Sequence, residues 1–482
     1  MLAPLEGRAL LWDYVPWEQM SKQRRGVMWS LQLARTLNRQ LVLPPLRFLT
    51  SSDARRQVDD PDLAYDYRAY SHVFDIEPLR KLHPVVDLHD FLHRNDSSGS
   101  RIQPRIDLIF SILRGVSPRL KGVRKQLPLW DEGDCASSLT MANPGQADCA
   151  IEGSGEEICV TPVAFAGTTL RALNHSCGWA PEMRFDRLLQ AREARELPAV
   201  ALQGIIYQLP PPSSMRPLAE ARAQLAADGE GCGWHCPYNA MRLAMLYQPR
   251  YTAAARRFLE AVRAQHAPER GAVDDDDHDD AHDDAHEDAH DDAKNGDDPA
   301  ASDRAANVLP RVLPRVLGVH WRRGDFAIQR AGQHETECSD VASGSELKPC
   351  AKRQIILSPA ELAASIQRHL ALHSCQVVFL ATDASFDEIR ELNSSLKGTP
   401  LLRFDPAALL PRVGAGEAED ARETPLDFSG KPERAIMDTL ICAFADAFLA
   451  TRLSIFSWNI LEERIVQGMA AETGRYMSEG VE

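Results

Sequence analysis

The sequence predicts an α/β protein of two doubly wound lobes facing a cleft, and three observations support this. A strand-like segment at 9–15, a helical pattern at 21–39 and a strand-like segment at 40–45 follow one another without a long gap. Such strand, helix, strand units build parallel sheets. Two near-continuous apolar runs, at 316–321 and 377–384, are typical of strands buried on both faces of a parallel sheet. The length of 482 residues favours two or three domains.

The remainder of the first lobe is less regular. Residues 95–180 are poor in periodicity and rich in Gly, Ser, Asp and Cys, so we expect long loops that carry short elements. Helical patterns return at 217–227 and 238–265, and Pro249 breaks the second of these.

The second lobe repeats the alternation of strands and helices. Ser358, Pro359 and Glu361 occupy the N-cap, N1 and N3 positions of a predicted helix. Near the end of the chain, residues 432–444 are helical in pattern, residues 446–453 are strand-like, and another helix begins at Ser454. Ligands in such folds bind at the carboxyl ends of the strands.

A low-complexity segment rich in Asp and His lies between the two predicted lobes. Residues 274–298 hold fourteen acidic side chains against one lysine, which is −13 of the total charge of −15. Such a segment cannot offset the entropy of ordering, so we predict a disordered insertion or linker at 266–308 between lobes at 1–265 and 309–482. Its regularly spaced histidines invite a metal site, but dense like charge opposes the helix that would align them, which favours a solvated spacer.

Composition excludes some partner classes. Outside the acidic tract the chain is nearly neutral, so no global basic field recruits nucleic acid or an anionic membrane. No apolar run is long enough to predict a membrane span, and the first residues show no signal peptide. Eight of the ten cysteines lie in polar surroundings that would suit disulfides, which favours the secretory pathway, whereas Cys375 and Cys442 adjoin apolar segments and are predicted to be buried thiols.

Polar residues follow each apolar run of the second lobe. Arg322 and Arg323 come directly after the first run, where a guanidinium can hold a phosphate through two parallel hydrogen bonds. The alternative is a structural ion pair between Arg323 and Asp325. Asp383 follows the second run and could either bind a nucleoside or cap the next helix.

Two further positions are candidates for chemistry. Ser454 and Ser457 surround a helix start, where free N–H groups and the helix dipole can bind a diphosphate, although the same residues suit simple capping. Glu18 lies in the loop PWEQMS after the first strand. It could accept a proton from an attacking hydroxyl, or it could be an ordinary exposed glutamate.

Four ordered segments resemble one known family, the GDP-fucose protein O-fucosyltransferases, and most closely its type 2 members, which modify thrombospondin type 1 repeats. The resemblance covers about residues 9–48 and 316–468, with a weaker helical match near 238–264. The segments are PWEQMS, VLGVHWRRGDF, VVFLATDA and AIMDTLICAFADAFLATRLSIFSWNILEERIVQG.

The resemblance implies a GT-B fold and an inverting transfer of fucose from GDP-fucose to Ser or Thr of folded, disulfide-bonded repeats, with no metal and no other cofactor. It implies that Glu18 is the catalytic base, that Arg322 holds the diphosphate, and that Asp383 contacts the nucleoside. It also implies the endoplasmic reticulum lumen, which a truncated start would reconcile with the missing leader. The other residues implied to bind the donor are Pro16, Trp17, Gln19, Met20, Ser21, His320, Ser454, Ile455, Phe456 and Ser457.

The chain departs from the family pattern in two places. The family loop Pro-Glu-Gly-Phe-Asn is replaced here by Pro16 followed by Trp17, Glu18, Gln19, Met20 and Ser21, and Ile455 replaces the threonine of the phosphate loop. Two alternatives therefore stay open: a fucosyltransferase acting on EGF-like repeats or on a glycan, and a degenerate module that binds GDP-fucose or a client protein without transfer.

Overall fold

A computed structural model describes the chain in fifteen stretches. These are residues 8–13, 20–49, 65–93, 105–111, 148–151, 157–165, 168–176, 199–203, 218–223, 237–267, 313–324, 334–338, 348–354, 356–405 and 431–477. The acidic tract and residues 14–19 lie outside these stretches, so the predicted linker and most of the PWEQMS loop are untested.

Eight strands form the first sheet, in the order β6-β2-β1-β11-β7-β10-β9-β8. The neighbours from β6 to β10 are parallel, whereas β9 and β8 extend the sheet with antiparallel pairs. The strands are β1 (Ala9–Asp13), β2 (Gln40–Leu43), β6 (Val85–Asp87), β7 (Arg105–Ser111), β8 (Asp148–Ile151), β9 (Glu157–Phe165), β10 (Thr168–Ser176) and β11 (Ala199–Gln203).

Within the described parts of residues 95–180, the elements are longer strands than the short elements that the sequence predicts, and the predicted loops lie outside the described stretches. Strand β7 lies inside the first sheet between β11 and β10, and β9 and β10 form an antiparallel pair of nine-residue strands. Polar residues interrupt the apolar residues of these strands, so their sequences show neither a continuous apolar run nor a regular alternation.

Five parallel strands form the second sheet, in the order β17-β16-β13-β18-β19. Residue 316 pairs with 377 and residue 321 with 382, so the two apolar runs end level with one another. Both runs were predicted as strands, which the structure confirms. The strands are β13 (Val316–Trp321), β16 (Val377–Thr382), β17 (Leu401–Leu402), β18 (Ala447–Ala450) and β19 (Gly474–Tyr476).

Helices cover these sheets, and three small antiparallel pairs complete the described fold. The pairs are β3 (Leu46–Leu49) with β4 (Tyr65–Arg68), β5 (Phe74–Asp75) with β12 (Leu246–Tyr247), and β14 (His334–Cys338) with β15 (Lys348–Gln354). The helices are α1 (Met20–Thr36), α2 (Tyr70–Val73), α3 (Glu77–Leu82), α4 (Leu88–Leu92), α5 (Pro237–Ala244), α6 (Pro249–Gln265), α7 (Pro359–His373), α8 (Phe386–Ser395), α9 (Lys431–Phe444) and α10 (Ile455–Val466), with a short 3-10 turn at Ala471–Thr473. Within the described stretches, no helix has the length and apolar character needed to cross a bilayer.

Alternate residues of the second sheet serve two cores. Val378 and Leu380 pack with helices α7 and α8, whereas Phe379 and Ala381 join a larger cluster that also contains Leu10 and Leu41 of the first sheet. The apolar core is therefore continuous between the lobes.

Helix α6 contributes to this junction. The ring of Phe258 lies 5.7 Å from the rings of both Phe379 and Phe404, next to the second sheet. Arg263, at the end of α6, pairs with Asp446 at 3.0 Å. The sequence assigned this helix to the first lobe, and the lobe boundary near residue 265 stays a prediction.

Candidate functional site

Three neighbouring strands of the second sheet end at one edge, and the polar residues that follow them meet there. Strand β13 lies between β16 and β18, and all three run parallel. Their carboxyl ends lead into Arg322, Asp383 and Thr451. The Arg322 guanidinium and the short polar side chains of Asp383 and Thr451 therefore lie at the edge where parallel sheets bind ligands.

Arg322 and Asp383 form an ion pair. The Nη1 atom of Arg322 donates to Oδ2 of Asp383, and the backbone N–H of Arg323 donates to Oδ1 of Asp383 at 2.6 Å. Both side chains keep some exposure, 23% for Arg322 and 34% for Asp383. The structure thus brings together two residues that the sequence predicted to bind one ligand. Here the Arg322 guanidinium and the Asp383 carboxylate are hydrogen-bonded to each other.

Arg323 points to a different carboxylate. Its Nε donates to Oε1 of Glu388 at 2.7 Å, and the same glutamate completes the capping box of α8 with Ser385. Burial alone would raise the pKa of Glu388, but the N–H of Ser385 and the Arg323 guanidinium hold it below its usual value. The alternative partner Asp325 lies outside the described stretches, and Arg323 has a structural partner here in Glu388.

Gly324 permits the tight turn after β13. Its φ of +40° lies in the left-handed region, and a Cβ at this position would lie 2.6 Å from Oδ2 of Asp383. Glycine is therefore required both for the backbone conformation and for the approach of Asp383.

The third strand leads into the amino end of α10. Ser454 is the N-cap, and its hydroxyl accepts the N–H of Ser457 at 3.4 Å. The first N–H groups of a helix have no partner within the helix, and they lie at the positive end of its dipole. The predicted phosphate seat at 454–457 is thus a helix start, with Ile455 and Phe456 half-buried as its first two residues.

Ser457 has a structural role that the sequence did not reveal. Its side chain is fully buried, its hydroxyl oxygen accepts the N–H of Thr451 at 2.9 Å, and it lies 2.6 Å from Nδ1 of His320. The hydroxyl of Thr451 in turn donates to the carbonyl of His320 and accepts the N–H of Arg322 at 2.9 Å.

This network fixes the state of His320. Burial, followed by the charge of Arg322, lowers the pKa of His320 to about 3, so the ring is neutral near pH 7. The Ser457 hydroxyl has one proton to donate, and Nδ1 of His320 is the acceptor described beside it, so we assign the proton to this bond, which leaves the ring N–H of His320 on Nε2. The ring also packs against Phe456, with centroids 4.7 Å apart.

The first lobe contributes helix α1, which begins at Met20, so the last two residues of the PWEQMS segment, Met20 and Ser21, are helical and not part of a loop. Met20 and Ser21 are buried at 7% and 6% exposure. The other predicted site residues of this loop, Pro16, Trp17, Glu18 and Gln19, lie outside the described stretches. Their distance from Arg322 therefore stays a prediction.

Sequence analysis missed Thr451 and Glu388 as parts of this region. Thr451 follows β18 as Asp383 follows β16, so the rule that polar residues after parallel strands meet at one edge could have found it. Glu388 offered only the signal of a capping box with Ser385.

The chain is similar to known proteins in sequence and in fold. A family model described as GDP-fucose protein O-fucosyltransferase matches residues 19–467. The curated GDP-fucose protein O-fucosyltransferase 2 of Caenorhabditis elegans is 28% identical over 157 residues, which is 33% of this chain but only 28% of that relative's length.

Solved structures share the fold at low identity. The crystal structure of POFUT1 in complex with GDP has a TM-score of 0.51 and 13% identity, with 98% of this chain and 99% of that chain covered. The crystal structure of POFUT1 in complex with GDP-fucose has a TM-score of 0.52 and 14% identity, again with 98% of this chain and 99% of that chain covered. This likeness confirms the predicted GT-B fold.

Proposed function

Because the chain belongs to the GDP-fucose protein O-fucosyltransferase family, we propose that it transfers fucose from GDP-fucose to Ser or Thr hydroxyls of folded, disulfide-bonded protein repeats. The observation that carries the proposal is the meeting of Arg322, Asp383 and the amino end of α10 at one sheet edge. A guanidinium beside a helix start is a site suited to a diphosphate.

The proposed reaction inverts the anomeric centre. The acceptor hydroxyl attacks the anomeric carbon opposite GDP, a new carbon–oxygen bond forms, and the bond to the β-phosphate oxygen breaks. Glu18 takes the hydroxyl proton, while the electron pair of the broken bond stays on the leaving GDP. In this proposal Arg322 and the N–H groups at the start of α10 stabilise that negative charge, which is supported by the helix start at Ser454.

Donor binding must rearrange the Arg322–Asp383 pair. The diphosphate competes with the Asp383 carboxylate for the guanidinium, and the released carboxylate becomes free to accept from the nucleoside. His320 presents a neutral N–H rather than a second positive charge, because its pKa is lowered to about 3. In this proposal it donates one hydrogen bond and does not act as an acid.

We propose that transfer needs no metal, because the Arg322 guanidinium and the N–H groups at the start of α10 would stabilise the negative charge that a metal stabilises in other enzymes. Transfer assayed after exhaustive chelation is expected to match the untreated enzyme. Loss of activity that Mg²⁺ or Mn²⁺ restores would overturn this part of the proposal.

We place the reaction in the endoplasmic reticulum lumen, where cysteine-rich acceptors fold. Thrombospondin type 1 repeats are the first acceptor to test, since the curated relative carries the type 2 name. EGF-like repeats and glycans are the competing acceptors, and direct competition between them in one reaction separates the three.

The direct test incubates the protein with GDP-fucose and each folded repeat, and follows the mass of the acceptor peptide. Addition of one deoxyhexose is expected with one repeat class. Glu18→Gln is expected to lower kcat by on the order of a hundredfold or more while GDP binding, measured by calorimetry, persists. Absence of both transfer and GDP binding would reject the proposal.

A second candidate is a module that binds GDP-fucose or a client without transferring sugar. Ile455 lacks the hydroxyl that the family threonine offers, and the loop of Glu18 differs from the family pattern. GDP binding by the wild-type chain without transfer to any acceptor would favour this second function.

A further inference from the structure

Four charged side chains are buried where the two lobes meet. Arg24 extends from α1 and Arg242 from α5, while Glu462 and Glu463 are neighbours on α10. All four side chains are at most 1% exposed. We call these four residues the junction cluster.

The two arginines bridge both carboxylates. Arg24 Nη2 lies 3.0 Å from Oε2 of Glu462, and its Nη1 lies 3.6 Å from Oε2 of Glu463. Arg242 Nε lies 3.1 Å from Oε2 of Glu462, and its Nη2 lies 2.5 Å from Oε2 of Glu463. Each guanidinium therefore spans two adjacent residues of one helix, which fixes both the distance and the rotation of α10.

Neutral groups complete the hydrogen bonding of Glu462 and Glu463. Trp458 Nε1 donates to Oε1 of Glu462 at 3.0 Å, and the hydroxyl of Tyr238 donates to the same oxygen. Gln467 donates to Oε1 of Glu463 at 2.8 Å. Burial by itself would raise the pKa of Glu462, but Arg242 and Arg24 together hold it below its usual value. Glu462 is thus ionised near pH 7, and the cluster matches two guanidinium groups with two carboxyl groups.

Stability alone does not explain this arrangement. Burying four charges carries a large desolvation cost, and well-packed apolar residues often stabilise such a position equally well or better. The surrounding junction is already apolar, since one core cluster joins the two sheets. What the ions add is a defined alignment, because a shifted helix would leave charges buried without partners.

The cluster lies close to both halves of the proposed site. Arg24 is one helical turn beyond Met20, where α1 begins after the Glu18 loop. Glu462 is about two turns beyond the N-cap Ser454. With a rise of 1.5 Å per residue, the cluster lies about 6 Å along α1 and about 12 Å along α10 from the two helix starts.

We propose that Arg24 and Arg242 are positioning residues, which clamp α1 to α10 and so fix the start of α1, two residues after the proposed base Glu18, relative to the phosphate seat at the start of α10. The inference rests on the proposed function, since it assigns the two helix starts to the base and to the leaving group. A misplacement of about 1 Å between reacting groups can cost on the order of a hundredfold in rate.

The first test uses Arg24→Lys. A lysine keeps the charge but cannot span two carboxylates in a fixed plane. We expect kcat for fucose transfer to fall at least about tenfold, with the Kd for GDP and the KM for GDP-fucose within about threefold of wild type, because the donor site lies on the other lobe. Folded Arg24→Lys protein with wild-type kcat would overturn the proposal, as would an equal loss of GDP binding.

A second variant guards against failure to fold. Arg24→Met combined with Glu462→Gln removes one charge of each sign, so no uncompensated ion stays buried, and the same fall in kcat at constant GDP affinity is expected. The matched control is Arg263→Lys. Arg263 also makes a 3.0 Å ion pair, with Asp446, but at the opposite end of the second sheet, so kcat is expected to stay within about twofold of wild type.

Hydrogen exchange separates failure of this inference from failure of the proposed function. If no acceptor is fucosylated by the wild type, the function is wrong, but clamping is still measurable. GDP is expected to slow amide exchange in the first two turns of α1, and Arg24→Lys is expected to bind GDP yet lose that protection. Protection that is absent in the wild type, or that persists in the variant, would overturn the clamp.

Discussion

At the scale of single residues, the hydroxyl of Ser457 joins three parts of the site. It accepts the N–H of Thr451 and, with the proton of His320 assigned to Nε2, donates to Nδ1 of that ring, so one oxygen connects two strand ends to α10. The family resemblance implied a phosphate ligand at this position. Because His320 and Thr451 are the hydrogen-bond partners of its hydroxyl, we propose that Ser457 acts through them, and that Ile455 and Phe456 offer their N–H groups to the diphosphate.

Replacing Ser457 by Ala is expected to destabilise the protein. The change leaves the N–H of Thr451 and Nδ1 of His320 buried without their partner, which costs about 1–3 kcal/mol of unfolding free energy. Urea denaturation measures this cost. Ser394→Ala is the control, because Ser394 donates a bond of similar length, 2.9 Å to Arg390, on an exposed surface. Equal losses in the two variants would contradict the assigned network.

Buried histidines predict a loss of stability in acid. Burial, with the nearby His373, Arg368 and Arg475, lowers the pKa of His369 to about 4. Between pH 6.5 and 4 the unfolded chain binds a proton there that the folded protein does not, so the free energy of unfolding falls as pH falls, by up to about 1.4 kcal/mol per pH unit for one proton.

His369→Gln tests this dependence. The variant is expected to lose less stability than wild type between pH 7 and pH 5, as measured by urea unfolding at each pH. Gln367→Ala, an exposed neighbour on α7, serves as the control with the wild-type slope. A variant slope equal to that of wild type would show that His369 does not bind protons differentially.

At the scale of elements, helix α1 approaches β1 through a glycine. A Cβ on Gly26 would lie 1.5 Å from the Trp12 ring, so the helix can pack at this distance only with no side chain there. Sequence periodicity located the helix but gave no reason for a glycine in its middle, where it costs about 1 kcal/mol relative to Ala.

Gly26→Ala is therefore expected to destabilise despite the better helix propensity. Overpacking costs about 1–3 kcal/mol or more and outweighs the gain, since the rigid indole cannot move aside easily. Thermal unfolding should show a lowered Tm, and adding Trp12→Leu should restore part of it. A Gly26→Ala protein more stable than wild type would show that α1 lies farther from β1.

Helix ends were the most predictable features. Ser358, Pro359 and Glu361 form the capping box of α7 that the sequence predicts, because capping involves residues only three apart. Cys375 and Cys442 are buried free thiols, as predicted from their apolar neighbours.

Strands β7, β9 and β10 were not predicted from the sequence. Pairing with neighbouring strands, and not the periodicity of their own residues, defines them as strands.

At the scale of the whole molecule, the shared core predicts joint unfolding of the lobes. Phe258 of α6 contacts Phe379 and Phe404, and its truncation to Ala is expected to cost about 3–5 kcal/mol. We expect one transition by circular dichroism and by tryptophan fluorescence, shifted to lower temperature in the variant. Leu372→Ala, at a side chain that is 66% exposed, is the control, and two separate transitions would contradict a common core.

The acidic tract should be dispensable for the site. Deleting residues 274–298 removes most of the net negative charge but no side chain assigned to binding or catalysis. Because we predict the tract to be a solvated spacer, whose charge salt screens, Tm is expected to stay near the wild-type value and fucose transfer to change less than about twofold. The metal interpretation would be favoured if the deletion variant were inactive, and if the full chain lost activity on chelation and regained it with Zn²⁺.

The amino-acid sequence was enough to predict the α/β class, the two buried strands of the second lobe, the helix caps, and the placement of Arg322 and Asp383 after strand ends. These features depend on residues that are close along the chain, and they are visible in local capping patterns and apolar runs. Which charges and hydroxyls meet became known from the folded structure alone. Arg322 pairs with Asp383, which is 61 positions away along the chain. Ser457 and His320 are 137 positions apart, and Arg24 and Glu462 are 438 positions apart. Such partners follow from strand order and from which helix faces pack together, and no local pattern in the chain specifies either.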